Sequence, residues 1–275
     1  MDAVDWSDKR VFVTGATGLV GSWLVRELIR LGAVVTVLIR RIPSKSIFYS
    51  ESLEKASDVV YGSLEDLNLM RDVINERDIE IVFHLAAVAT VGGSYRNPAT
   101  AFETNVRGTW NVLEACRGLA TVQRVIVASS DKSYGNQGKL SYTEDMLPRV
   151  TYPYETSKAC ADIITQCYWA SYRIPVVIVR CGNIYGGGDL NFNRIVPSTI
   201  QAVCRGRAPC LRSDGTQVRD YVYIKDVVDA YLLLASANKS IVDGKAFNVA
   251  GHTGHTTLEL VHTVLRVMGS NLEPK

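Results

Sequence analysis

No run of residues in this 275-residue sequence is apolar enough over a sufficient length to cross a bilayer. Stretches such as VTVLI and YLLLASA are the size of core elements, far short of the roughly 20 residues a spanning helix needs. There is no excess of charge of either sign: 30 basic side chains stand against 28 acidic ones, a formal net charge of +2. That balance argues against a nucleic-acid partner, which calls for clustered positive charge. No CxxC pair occurs among Cys116, Cys160, Cys167, Cys181, Cys204 and Cys210, and no Cys/His group has zinc-ligand spacing, so no metal is expected. The thiols read as reduced and mostly buried. The opening MDAVDWSDKR carries three acids before its first base and no apolar segment, so no export signal and a cytoplasmic location are expected. Repeats and linker-like tracts are also missing.

What is present is an alternation. β-Branched runs at 10–14, 34–39, 58–61, 80–85, 124–129, 175–181 and 245–250 read as strands. Between the first two lies GSWLVRELIRLG, in which Trp23, Leu24, Leu28 and Leu31 recur at helical spacing and Gly32 marks the stop. Further helices are expected at 63–75, 98–118, 153–172 and 224–237. Strand and helix in regular succession imply parallel pairing with helices on both faces, an α/β doubly wound sheet of Rossmann type. The alternation loosens after Cys181. Residues 1–181 and 224–250 are assigned to a dinucleotide-binding domain. Residues 182–223, with one helix near 196–205, and 251–275 are assigned to a small substrate-binding lobe over the strand ends.

The first strand runs into Gly15-Ala16-Thr17-Gly18-Leu19-Val20-Gly21 and then into a helix. Glycines here allow a tight turn and close approach of backbone to a pyrophosphate, and the helix start offers free N–H groups. The spacing is GxxGxxG, as in short-chain dehydrogenases. At the end of the second strand, where an acidic residue would hold the ribose 2′-hydroxyl of NAD, the sequence has Ile39 followed by Arg40 and Arg41. Two guanidinium groups suit a 2′-phosphate, so NADP is favoured and NAD remains open.

Two segments carry reactive groups. Ser129-Ser130-Asp131-Lys132 closes a strand, and Tyr154 and Lys158 stand four apart at the start of a helix and so share a face. A free tyrosine, with a pKa of about 10, is only about 0.1% phenolate at pH 7. A nearby ammonium and a nicotinamide ring would lower that pKa; a shift of about 3 units is worth about 4 kcal/mol. Tyr154 could then take a proton from a sugar hydroxyl while the carbon beneath gives up a hydride.

Taken together these motifs resemble the extended short-chain dehydrogenase/reductases, and among them the nucleotide-sugar 4,6-dehydratase group, nearest its CDP-glucose branch. The likeness runs from Trp6 to about Met268 and includes HLAA at 84–87, SYRNP with ETNVRGTWNVLEA, SSDKSYGN, YPYETSKACAD, RCGNIYGGGD and VRDYVYIKDVVDAY. The resemblance implies hydride removal from the hexose C4, loss of water across C5 and C6, and return of the hydride to C6. It implies Tyr154 as the base at O4, Lys158 as its tuning group, Ser130 on O4 and Asp131 as the acid at the C6 hydroxyl. Lys132 stands where many relatives have a glutamate as C5 base. Leu64, Leu85, Ala86 and Ala87 would line the cofactor, and Asn105, Asn183, Arg194 and Arg219 the substrate. His84 is expected to be a strand-end structural or cofactor-wall residue and not an acid–base group. Helices bearing Trp110, Leu113, Ile163 and Ile164 would pack into the four-helix bundle of a homodimer, and core packing within one chain would give the same pattern. A 4-epimerase would share the first hydride step, and a non-catalytic dinucleotide scaffold would share the fold. Three features depart from the CDP-glucose branch: Gly92 in place of an arginine, Arg40 and Arg41 as in GDP-mannose dehydratases, and the general form VRDYVY. The chain also ends at Lys275, earlier than relatives with further lobe elements.

Overall fold

The computed structural model of the protein describes residues 5–42, 45–138, 141–251 and 253–275; residues 1–4, part of the segment read above for an export signal, lie outside them. The chain runs β1 (Arg10–Thr14), α1 (Leu19–Arg30), β2 (Val34–Ile39), α2 (Ile47–Ser50), β3 (Asp58–Tyr61), α3 (Leu67–Glu76) and β4 (Ile81–His84). It continues through α4 (Val91–Arg96), α5 (Pro98–Phe102), α6 (Gly108–Cys116), β5 (Arg124–Ser130), α7 (Pro153–Tyr172), β6 (Val176–Cys181) and β7 (Asn183–Tyr185). The last elements are α8 (Ile195–Cys204), β8 (Val218–Tyr223), α9 (Ile224–Ser236), α10 (Lys239–Val242), β9 (Ala246–Val249), β10 (Gly254–Thr256) and α11 (Thr257–Val267).

Seven strands form one parallel sheet in the order β3-β2-β1-β4-β5-β6-β9. Alternation of side chains along each strand divides the core in two. Val11, Val13, Ile81, Phe83 and Ile126 face α1 and α9, while Phe12, Val82, Val125 and Val127 face α3 and α6. Both faces being covered explains why these strands are continuous apolar runs. The strand order reverses between β1 and β4, and a crevice opens there beyond the carboxyl ends of the strands.

The stretch read as loops around one helix also contains strands. β7 and β8 pair in parallel, and β10 adds antiparallel to β8, giving a separate three-stranded sheet. β7 and β10 are three residues each, too short for a period of two to show. The helix expected over 98–118 is broken by a π turn at Glu103–Arg107, where the Thr109 hydroxyl donates to the Asn105 carbonyl at 2.6 Å. Of the four apolar residues expected at a subunit interface, Leu113 is wholly buried and Ile164 packs against the core of its own chain. Trp110 and Ile163, 40% and 55% exposed, face outward.

Candidate active site

A groove of about 970 Å³ lies over the sheet's switch point, reaching from the β1–α1 turn to the three-stranded sheet. Its phosphate end follows from the glycines. Gly15 has φ +76°, and a Cβ there would sit 2.8 Å from the backbone nitrogen of Ala86. Gly18 caps α1 without a side chain, so the first amides of the helix point into the groove with no intramolecular acceptor from the cap. Free amides at a helix start suit an anion such as a pyrophosphate. Substituting Gly15 by valine combines a left-handed backbone with a clash on Ala86, and dinucleotide binding measured by calorimetry is expected to be lost while the far-ultraviolet circular dichroism persists.

Behind this loop, His84 is buried between two hydroxyls, its Nδ1 2.9 Å from Thr14 Oγ1 and its Nε2 3.0 Å from Thr109 Oγ1. Burial, aided by the charge of Lys158, pushes its pKa down to about 3. It is a neutral structural link between β1, β4 and α6.

At the adenosine end, Arg40 and Arg41 are exposed and border the groove with Leu64. Glu65 stands beside them. Burial pushes its carboxyl up, but hydrogen bonds from Ser63 and Thr104 and the charge of Arg40 prevail and hold it below the usual range.

At the other end, Pro153 starts α7 and places Tyr154 in its first turn and Lys158 one turn on. Lys158 Nζ donates to the Ala128 carbonyl at 2.8 Å, which fastens α7 to β5. Ser130 caps the short helical turn after β5: its Oγ accepts from the Lys132 amide at 3.2 Å and donates to Asp131 Oδ1 at 3.0 Å. Lys132 Nζ lies 2.8 Å from Asp131 Oδ2, and the pair is partly exposed on the groove wall.

The expected low pKa of Tyr154 is not what the protein groups alone produce. Burial, the largest influence, pushes the phenol up to about 12; the Ser130 hydroxyl and Arg194 pull it down, and Asp131 pulls it up. Burial also draws Lys158 down to about 8, against the pull of Asp162. Burial thus favours the protonated phenol, and positive charge in the groove favours release of its proton.

Every site residue named from the sequence lines this groove, from Gly15, Thr17, Gly18, Leu19, Val20 and Gly21 to Asn183, Arg194 and Arg219, with the exception of Asn105. Asn105 is buried, and its side chain is consumed internally. Oδ1 accepts from the Val88 amide at 2.7 Å, and Nδ2 donates to Ser157 Oγ at 2.9 Å and to the Val88 carbonyl at 3.3 Å. It ties the segment after β4 to α7 beside Tyr154 and has no donor left for substrate. Arg194 pairs with Asp189 at 3.3 Å and remains 40% exposed at its side chain.

Sequence reasoning missed Glu65, Arg96, Cys181 and Tyr221, which also line the groove. Arg96 is the instructive one. Its Nη1 lies 3.6 Å from where a Cβ of residue 92 would stand, so the space left by Gly92 is filled by a guanidinium from one turn later. Spacing along α4 could have suggested this.

The fold and the groove define a dinucleotide-binding α/β protein with a tyrosine–lysine pair at the reactive end. Residues 11–250 match the NAD dependent epimerase/dehydratase family, and the chain belongs to it. It is 31% identical over 241 residues to CDP-glucose 4,6-dehydratase of Salmonella typhimurium, covering 84% of this chain and 67% of the relative. It is 28% identical to UDP-glucose 4-epimerase of Neisseria meningitidis serogroup C, over 92% of this chain and 80% of that one. Among solved structures, it superposes on UDP-glucose 4-epimerase from Thermotoga maritima with UDP-glucose at TM-score 0.87 and 30% identity, covering 96% and 84% of the two chains. The dTDP-glucose 4,6-dehydratase of Bacillus anthracis in complex with NAD gives TM-score 0.84 and 25% identity, covering 96% and 82%.

Proposed function

We propose that the protein is a nucleotide-sugar 4,6-dehydratase, acting on a CDP-glucose-like or GDP-mannose-like hexose. The observation that carries this reading is the Asp131–Lys132 pair, 2.8 Å between charged atoms, on the same groove wall as Tyr154 and Lys158. A 4-epimerase needs a base at O4 but has no use for a proton donor and acceptor at C5 and C6.

A nicotinamide dinucleotide bound in the groove supplies the chemistry of taking a hydride from C4 and giving one back at C6. Tyr154 receives the O4 proton, assisted by the ammonium of Lys158. The resulting 4-ketone acidifies the C5 proton. Asp131 and Lys132 stand where a donor for the C6 oxygen and an acceptor for the C5 proton are needed: one proton would leave C5 for the pair as one leaves the pair for the departing hydroxyl, so the charge of the pair is unchanged as water forms. A proton would then be returned to C5 while the hydride of a bound dinucleotide returns at C6. Arg194, Arg219 and Arg96 present guanidinium groups to the diphosphate, and Asn183 lies beside them on β7.

Arg40 and Arg41 favour NADP over NAD, with Glu65 moderating the local charge. Each charge-assisted hydrogen bond is worth about 1.5–3 kcal/mol. Replacing both arginines by alanine is therefore expected to weaken NADP about tenfold or more and leave NAD nearly unchanged in a calorimetric titration. Equal weakening of both dinucleotides would exclude a 2′-phosphate site there. The exposed Trp110 and Ile163 on adjoining helices support a homodimer.

The experiment that tests the reading is incubation with CDP-glucose, GDP-mannose, dTDP-glucose and UDP-glucose, followed by mass spectrometry. Loss of one water from one of them supports it; an unchanged mass with inverted C4 identifies an epimerase.

A further inference from the structure

Behind the tyrosine–lysine pair lies a second layer of buried charge that the reaction scheme does not use. Asp162 is one helical turn beyond Lys158 on α7 and so shares its face. Among the described residues it is the buried carboxylate. Its Oδ2 accepts from Arg180 Nε, on β6, at 2.8 Å. Its Oδ1 is buried beside the Ser129 hydroxyl; burial raises the pKa of this carboxyl, and Arg180, a hydrogen bond from Ser129 and the charge of Lys158 pull it back down.

Arg180 has partners in plenty. Its Nη1 donates to the Tyr134 hydroxyl at 2.8 Å and to the Glu144 carbonyl at 3.1 Å, and the Tyr134 ring lies 4.6 Å from the guanidinium carbon. The Tyr134 hydroxyl donates onward to Asn248 Oδ1 at 2.7 Å. The Asp162 carboxylate is the counter-ion of this buried guanidinium, and its charge has a second use one helical turn away, at the buried ammonium of Lys158.

That use is set by the surroundings of Lys158. On its own helix it faces Tyr154 and Asp162. β6 brings the Cys181 thiol, pushed up to about 12 by burial and therefore neutral, and Arg180 lies beyond Asp162. His84 on β4 is neutral. Asp131, at the groove wall, acts on Tyr154 and Cys181. The anion enclosed with the ammonium is Asp162.

We propose that Asp162 is a positioning residue for oxidation at C4: its buried carboxylate, one helical turn from Lys158, supplies the charge that keeps Lys158 an ammonium, and Lys158 in turn supports the Tyr154 phenolate. This rests on the reading of the groove as a nucleotide-sugar site. Burial favours the amine form of Lys158, which is charged below its pKa and loses the charge as pH rises through it, so activity dependent on the ammonium falls on the alkaline side.

The test is the pH dependence of kcat and KM of the holoenzyme, with whichever of the four nucleotide hexoses the wild type turns over fastest. Asp162→Asn retains an acceptor for Arg180 and removes the charge. Its alkaline limb should move down by about one pH unit or more, a loss of about fivefold or more at the wild-type midpoint, with KM for the sugar little changed. Asp162→Glu should restore the wild-type limb. Arg180→Gln removes the cation that competes for Asp162, and its limb should move the other way; this variant decides the matter if Asp162→Asn does not fold. A kcat lowered equally at every pH in Asp162→Asn, or a limb unmoved or lowered in Arg180→Gln, overturns the proposal while the site reading stands. A wild-type protein that turns over none of the four sugars overturns both.

Discussion

Replacing Tyr154 by phenylalanine is expected to reduce turnover of the nucleotide sugar by about 10²- to 10⁴-fold, the usual contribution of a positioned acid–base group. The ring is buried in the first turn of α7, so the substitution keeps the packing and removes one oxygen. Dinucleotide binding should survive, because the phosphate loop lies at the other end of the groove. The size of the effect follows from what the phenol must do. With protein groups alone, burial pushes it up to about 12, so at neutral pH it is a poor base until positive charge enters the groove. Lys158 contributes only while protonated, and burial has drawn it down to about 8. The charge is present below that value and disappears as pH rises through it, which should give turnover an alkaline limb. Single-turnover kinetics and calorimetry together check the prediction. A Tyr154→Phe variant retaining a tenth or more of wild-type turnover would contradict it.

The second large effect concerns Asp131. Asp131→Asn preserves an acceptor for the Ser130 hydroxyl and for Lys132 but can no longer carry an acid proton to the C6 hydroxyl. Formation of the dehydrated product is expected to fall by about 10²- to 10⁴-fold. Oxidation at C4, followed by the absorbance of reduced dinucleotide, should persist, because Tyr154 and Lys158 are untouched. An epimerase would behave differently: its product would form at nearly the wild-type rate, since nothing in C4 inversion calls on Asp131.

How far the molecule could be read from its sequence depended on the length of each pattern. β1, β2, β3 and α7 lie residue for residue where periodicity and flanking breakers put them. Runs of four to six residues rich in valine, such as RVFVT and VVTVLI, admit few other readings. The short strands β7 and β10 gave no such signal, and α4, VGGSYR, has two glycines that argue against a helix; the Thr90 cap, accepting from the Gly93 amide at 3.2 Å, sustains it. The same division holds for the site. The phosphate loop and the Tyr154–Lys158 spacing are local and therefore legible. The resemblance put Asn105 with the substrate, but where an amide's hydrogen bonds go is set by the packing around it, here Val88 and Ser157. The environment of Tyr154 depends on what buries it, and the partner of Asp162 is Arg180 on the next strand, so neither could be read along the chain.

The account stands on hydride leaving C4 and returning within the same molecule as water departs. Its most direct test is a nucleotide hexose carrying deuterium at C4, incubated with the holoenzyme and examined by mass spectrometry and NMR. A product lighter by one water, with the label at C6, is the expected result. A product of unchanged mass, with deuterium still at C4, would contradict it.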